Sequence, residues 1–309
     1  MIAMPPPRRR RRGEWTWGEE RLYRAIKGAA RWIGALPLPL AARLGRFAGR
    51  ASWVLARGRR RIALENLDLV FGERMAPERK EKIAFESFVR LFQDAFFLLS
   101  AAHQRTGATR PLLCIRDGEY LAERGAAGKG AILVSGHLSN FYVMLGLLGR
   151  LGFKVAVLVR PFGFRPAQRV LEELAATSGL AILDQGRNAL GITRHLAEGG
   201  VTWFTLDQNA RHGFPVEFFG RPATTFTGPV RLARKLGLPV IPAFVHQVGP
   251  HAYEIECKEP LHFPATPPSD EALRADMRRL MGILEEEIRR YPESWMWAHR
   301  RWRHGERMK

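Results

Sequence analysis

The chain has 309 residues, enough for one sizeable core with terminal additions or for two small domains, and no internal repeat or Ser/Gly linker divides it. Its 49 lysines and arginines against 30 aspartates and glutamates give a net charge of +19, which calls for an anionic partner: nucleic acid, lipid headgroups or a phosphorylated substrate. Cys114 and Cys257 have neither metal-ligand spacing nor a disulfide framework, and the sequence lacks a Walker loop, a dinucleotide glycine pattern and a Gly-x-Ser-x-Gly elbow.

Residues 1–20 contain Pro5-Pro6-Pro7 and the run Arg8 to Arg12. Such a composition cannot bury a core, so a disordered basic arm is expected, without the apolar stretch of a signal peptide. Residues 32–57 combine Trp32, Leu36, Leu40, Phe47 and Trp53 with Arg43, Arg46, Arg50 and Arg57, spaced by three, four and seven. That spacing predicts an amphipathic helix with arginines on one face and apolar groups on the other. It suits either a helix lying in a membrane interface or one packed on the domain with solvated arginines. Residues 21–72 are read as a membrane-associated helical region, and residues 73–309 as an α/β domain. Within the latter, residues 75–106 should be helical, their Phe85, Phe88, Phe92, Phe96 and Phe97 forming an apolar core face or the wall of an acyl tunnel.

From residue 129 onward apolar strands alternate with amphipathic stretches: Ala131 to Val134, Val155 to Val159, Ala181 to Leu183, Val201 to Leu206 and Val240 to Val245. Their near-continuous apolar character predicts a mainly parallel sheet flanked by helices. The strand ends carry His137, Arg160, Asp184, Asp207 with Gln208, and His246. Ser135-Gly136-His137 reads as a strand end and glycine turn that delivers a histidine to the carboxyl edge of the sheet, where α/β proteins place their chemistry. Arg160 offers a planar cation for a phosphate or a developing oxyanion, or a salt bridge. Asp207 and Gln208 could hold acceptor hydroxyls or cap a loop, and Phe218-Phe219-Gly220 with Thr224 reads as a turn lined by aromatics and hydroxyls. Trp295, Trp297 and Trp302 with Arg300, Arg301 and Arg303 form either a headgroup-facing patch or a cation–π-stabilised terminus.

Gly136, His137, Asn140 and Phe141 match the motif Gly-His-x-Gly-Asn-Trp-Glu, and here the chain resembles the bacterial late acyltransferases of lipid A assembly, a group that includes lauroyl and myristoyl transferases and a phosphatidylinositol mannoside branch. Further blocks carry the resemblance in order: Arg160-Pro161, Thr205 to Gln208 with Val216 to Thr225, Pro239 to Pro242, and Pro292 to Trp302. It implies a dyad in which His137 takes a proton from an acceptor hydroxyl and an acid orients the ring. Tyr142 stands at the acid's position. Asp184 and Asp207 are the acids that could take its place. The resemblance also implies substrate binding by Asn140, Arg160, Asp207, Gln208, Phe219 and Thr224. No cofactor, metal or covalent intermediate is implied, with an acyl carrier protein or coenzyme A thioester as co-substrate and an anionic membrane lipid rather than nucleic acid as partner. The expected protein is an acyltransferase acting on a lipid hydroxyl at the cytoplasmic face of the inner membrane. A catalytically impaired homologue that binds lipid or partner proteins is the alternative that Tyr142 motivates.

Overall fold

The computed structural model describes residues 15–103, 112–139, 148–149, 152–159, 164–177, 180–184, 189–210, 213–249 and 252–302. Four helices come first: α1 (Trp17–Gly34), α2 (Leu38–Leu55), α3 (Arg57–Phe71) and α4 (Pro77–His103). Helix α1 starts at Trp17 because Thr16 and Glu19 form a reciprocal capping box, with Glu19 N donating to Thr16 Oγ1 at 2.9 Å and Thr16 N to Glu19 Oε2 at 2.7 Å. The helix therefore begins inside the stretch expected as an unstructured arm. Pro77–His103 form one long helix after the bend at Met75, with Phe88 and Phe97 buried in the core.

Helix α2 packs along α4 through glycines. A Cβ at Gly45 would lie 2.7 Å from the Gln93 backbone, and one at Gly49 2.6 Å from Val89 Cα, so only glycine allows the two helices this approach. Leu38, Ala41, Ala42 and Trp53 complete the buried face. The opposite face corrects the sequence reading. Leu40, Phe47, Val54 and Leu55 are exposed alongside Arg43, Arg46 and Arg50 rather than across the helix from them, while Trp53 turns the other way onto Phe85 and Phe88 of α4. Among the described residues, no helix is long and apolar enough to cross a membrane.

The α/β core holds β1 (Leu112–Arg116), β2 (Ala131–Ser135), β3 (Val155–Val159), β4 (Ala181–Asp184), β5 (Val201–Thr205), a hairpin of β6 (Phe214–Phe218) and β7 (Arg221–Thr225), and β8 (Val240–Gly249) with β9 (Ala252–Cys257). Seven strands form one sheet in the order β1-β9-β8-β2-β5-β3-β4, parallel at every pairing except β8 with β9. Among the described residues five helices are bounded around them: α5 (Glu119–Ala126), α6 (Arg165–Thr177), α7 (Ala189–Ala197), α8 (Gly228–Leu236) and α9 (Asp270–Arg290). Both faces of the sheet are covered. Ile132 and Val134 of β2 enter one apolar cluster with α9 and the C-terminal tryptophans, while Ala131 and Leu133 enter another with Leu38, Phe97 and Tyr253.

The C-terminal tryptophans do not form a headgroup-facing patch. Trp295, Trp297 and Trp302 are buried, and Arg301 is fully enclosed, because residues 294–302 run as a strap between the sheet's carboxyl edge, the β6–β7 hairpin and α3. Arg303 lies outside the described residues.

Candidate active site

The register of β2 and β5 builds the site. Ser135 pairs with Thr205, so the residues two places further on, His137 and Asp207, emerge side by side at the carboxyl edge. Leu206 N donates to Ser135 O at 2.9 Å and keeps the strands together to that point. Gly136 leaves the room between them that these side chains fill: a Cβ there would lie 2.7 Å from Leu138, 2.8 Å from Leu284 and 3.2 Å from Asp207 Oδ2. Ser139 adopts φ 47°, a conformation costing on the order of 1 kcal/mol for a residue with a side chain. The strap over-determines it. Ser139 N donates to Ser294 O at 2.8 Å, and Met296 N donates to His137 O at 3.2 Å.

Asp207 is buried at 3% exposure and accepts three hydrogen bonds. The His137 ring Nδ1 lies 2.7 Å from Oδ1, His137 N donates to Oδ2 at 2.6 Å, and Trp295 Nε1 donates to the same oxygen at 2.8 Å. Burial pushes the carboxyl group up, but the His137 charge and the hydrogen bonds from His137 and Trp295 outweigh it and hold Asp207 well below the usual carboxylate range. An ionised Asp207 fixes the Nδ1–H tautomer and leaves Nε2 as the basic nitrogen. The amide of Gln208, an exposed residue, sits 3.2 Å from that Nε2 and so marks where an acceptor hydroxyl can approach.

The floor beneath the dyad is equally ordered. Arg301 donates to Thr224 O at 2.7 Å and Thr225 Oγ1 at 2.6 Å, with longer contacts to the carbonyls of Leu206 and Gln208. Burial lowers its guanidinium to about 10, against the pull of Asp207, so it stays charged at neutral pH as a buried counter-charge. Asn209 N donates to His299 Nε2 at 3.2 Å, and burial lowers the His299 ring, keeping it neutral. Thr224 Oγ1 bonds Asn209. From the other side, Asn66 of α3 donates to the carbonyls of Trp297 and His299, each at 2.7 Å, and Arg59 donates to Ala298 O at 3.1 Å.

Of the residues singled out in the sequence, His137, Asp207 and Gln208 come together at the carboxyl edge, and Thr224 lies beneath them. Phe219 is elsewhere, at the β6–β7 turn, where its N–H donates to Glu285 Oε1 at 2.8 Å and Arg289 covers its ring. Asn140, Tyr142 and Arg160 lie outside the described residues, as does the side chain of Asp184. His246 is engaged in a separate buried network, 3.1 Å from Glu287 and 3.4 Å from Glu256. Those three groups are close enough to hold a metal, yet Lys258, Arg116 and Arg290 already neutralise the carboxylates at 2.5 to 3.3 Å. Cys257 borders a cavity of about 540 Å³ at the opposite sheet edge, and burial pushes its thiol up to about 11, unsuited to a nucleophile at neutral pH. Trp295, Asn66 and His299 were not among the residues expected at the site. The hint was the last motif block, which holds both Trp295 and His299.

A strand-end histidine paired with a buried carboxylate is an acid–base arrangement, and the sequence model of the bacterial lipid A biosynthesis acyltransferases matches residues 21–304. The chain belongs to this family. It is 27% identical over 282 residues to the lipid A biosynthesis palmitoleoyltransferase of Escherichia coli (strain K12), covering 88% of this chain and 87% of that protein. The lipid A biosynthesis myristoyltransferase of the same organism is 25% identical over 288 residues, 91% of this chain and 85% of its own length. Its lauroyltransferase is 25% identical over 280 residues, 87% of each. The family match begins within α1 and contains α2 to α4 and the whole strap, so the elements that hold the dyad fall within it.

Proposed function

We propose that the protein transfers a fatty acyl chain from an acyl thioester, carried on acyl carrier protein or coenzyme A, to a hydroxyl of a lipid A-type glycolipid at the cytoplasmic face of the inner membrane. The observation that carries this reading is the His137–Asp207 pair with Nε2 turned toward the exposed Gln208 amide. Nε2 takes the proton of the acceptor hydroxyl as its oxygen attacks the thioester carbonyl carbon. The tetrahedral intermediate then collapses, the C–S bond breaks, and the imidazolium returns the proton to the departing thiolate. Asp207 stabilises the charge on the ring throughout. Arg160, which follows the last residue of β3, is the candidate donor for the oxyanion.

Attachment to the membrane is assigned to the exposed face of α2, where Arg43, Arg46 and Arg50 meet lipid phosphates while Phe47, Val54 and Leu55 enter the interface. The alternative of a catalytically impaired lipid binder drew its force from the tyrosine at the motif's acid position. Asp207 beside His137 supports the enzyme instead.

The test is to incubate purified protein with acyl carrier protein and coenzyme A thioesters and extracted membrane lipids, and to look for a new ester by mass spectrometry. A new ester made by wild type and lost in His137→Ala supports the reading. No ester with any thioester, or an undiminished rate in folded His137→Ala, rejects it.

A further inference from the structure

Asp207 Oδ2 receives two of the three hydrogen bonds made to the carboxylate, and one of them comes from 88 residues away in the chain. The Trp295 indole cannot easily withdraw. Its ring is 1% exposed and packs against Trp297 at 4.6 Å, Phe218 at 5.9 Å and Trp302 at 6.3 Å between centroids, and its backbone pairs with Leu138, the residue after the histidine. The indole N–H donates and cannot accept, so at this position it can only serve an anion or a lone pair.

We propose that Trp295 is a positioning residue for the acyl-transfer dyad: its N–H holds Asp207 Oδ2, turns Oδ1 toward His137 Nδ1, and limits how tightly the carboxylate retains the ring proton. The inference rests on the reading of His137 as the general base. A donor on Oδ2 draws negative charge away from Oδ1. Without it the carboxylate binds the imidazolium more strongly, so the ring holds its proton to higher pH and returns it to the thiolate less readily. The His137 backbone N–H still anchors Oδ2 at 2.6 Å when the indole is changed, so the carboxylate stays beside the ring. Among the described residues, three charged or titratable groups outside the dyad act on it or on its neighbours. The strap contributes His299 and Arg301, α3 contributes Arg59, and β5 leads into Asp207 itself. None of them is altered by a substitution at 295.

The experiment replaces Trp295 in the full chain with 3-benzothienylalanine, which keeps the bicyclic shape and exchanges the N–H for sulfur, beside Trp295→Phe as the genetically simple variant. Two quantities are measured: the pH titration of the His137 ring signal in ¹³C-histidine-labelled protein, assigned with His137→Gln, and the pH dependence of kcat and KM. The expected result is a His137 signal that titrates about half to one unit higher, an acid limb of kcat/KM displaced by the same amount, a kcat about three- to tenfold lower, and an unchanged KM. A folded isostere variant with the titration and rate profile of wild type overturns the proposal. The titration needs no turnover, so it decides the role of Trp295 even if wild type transfers no acyl group and the enzymatic reading fails. If turnover requires His137 while both readouts ignore residue 295, the base stands and the positioning role falls.

Discussion

His137 and Asp207 meet twice, once through the histidine's backbone N–H and once through its ring, so the acid fixes both the place of the base and its tautomer. Asp207→Asn should keep the fold but offer the ring the wrong partner, and kcat should fall by about 10³-fold or more. His137→Ala should lose a comparable factor, whereas Tyr142→Phe should stay within about threefold of wild type because the acid is already supplied. Rates of ester formation, with circular dichroism to confirm folding, check all three.

The exposed face of α2 gives a salt-sensitive prediction. Each arginine near an anionic surface contributes about 1 kcal/mol, so replacing Arg43, Arg46 and Arg50 by Gln should weaken binding to anionic vesicles by about 10²-fold at moderate salt. Phe47 and Leu55, 70% and 80% exposed, should leave a residual attachment that high salt does not remove. Vesicle co-sedimentation measures both parts, and Phe47→Ser with Leu55→Ser should abolish the residue.

Asn66 holds two strap carbonyls with one amide, as no other residue of α3 does among the described hydrogen bonds. Asn66→Ala leaves both carbonyls short of a donor and should cost about 1–3 kcal/mol in denaturant unfolding. Activity should fall with it, since Trp297 and His299 belong to the segment that carries Trp295.

A pH effect on stability is expected from Asp94 of α4. Burial raises this carboxyl from 3.8 to about 7, against the hydrogen bond from Tyr253 and the charge of Arg90. The folded protein therefore keeps a proton that the unfolded chain has released between these values, and stability from this group declines as pH rises from about 4 through 7. Asp94→Asn mimics the protonated form. Its margin over wild type should grow by on the order of 2–3 kcal/mol between pH 5 and pH 8, read from urea midpoints at the two pH values.

The parallel strands of the core were legible because Ile132 to Val134 or Val201 to Phe204 can only be apolar on both sides if helices cover both faces. His137 was legible for the same reason, as the first ionisable residue after a buried strand and a glycine. The partnership with Asp207 was harder to read. Local sequence offered Tyr142, Asp184 and Asp207 as candidates, and the choice depends on which strand lies next to β2, a matter of sheet order that no local pattern encodes. Strand β9 was missed because Ala252 to Cys257 alternate polar and apolar residues, and β1, five residues at the sheet's edge, because it stands apart from the alternating pattern that begins at residue 129. The strap misled for a different reason: tryptophan and arginine together describe a membrane-facing patch and a buried, hydrogen-bonded corner equally well. What separates the two is the placement of acceptors such as Asp207 Oδ2 and Thr224 O, which only the tertiary structure provides.

The strap has a consequence for how the protein comes into being. Trp295 and Arg301 follow every strand of the sheet and helix α9 in chain order, yet they complete the surroundings of the histidine that follows β2. During synthesis the sheet and the basic helices can emerge and settle before the carboxylate has its third donor or the buried guanidinium its place. A chain whose strap has not yet docked can thus possess both residues of the dyad while Asp207 still lacks its third donor.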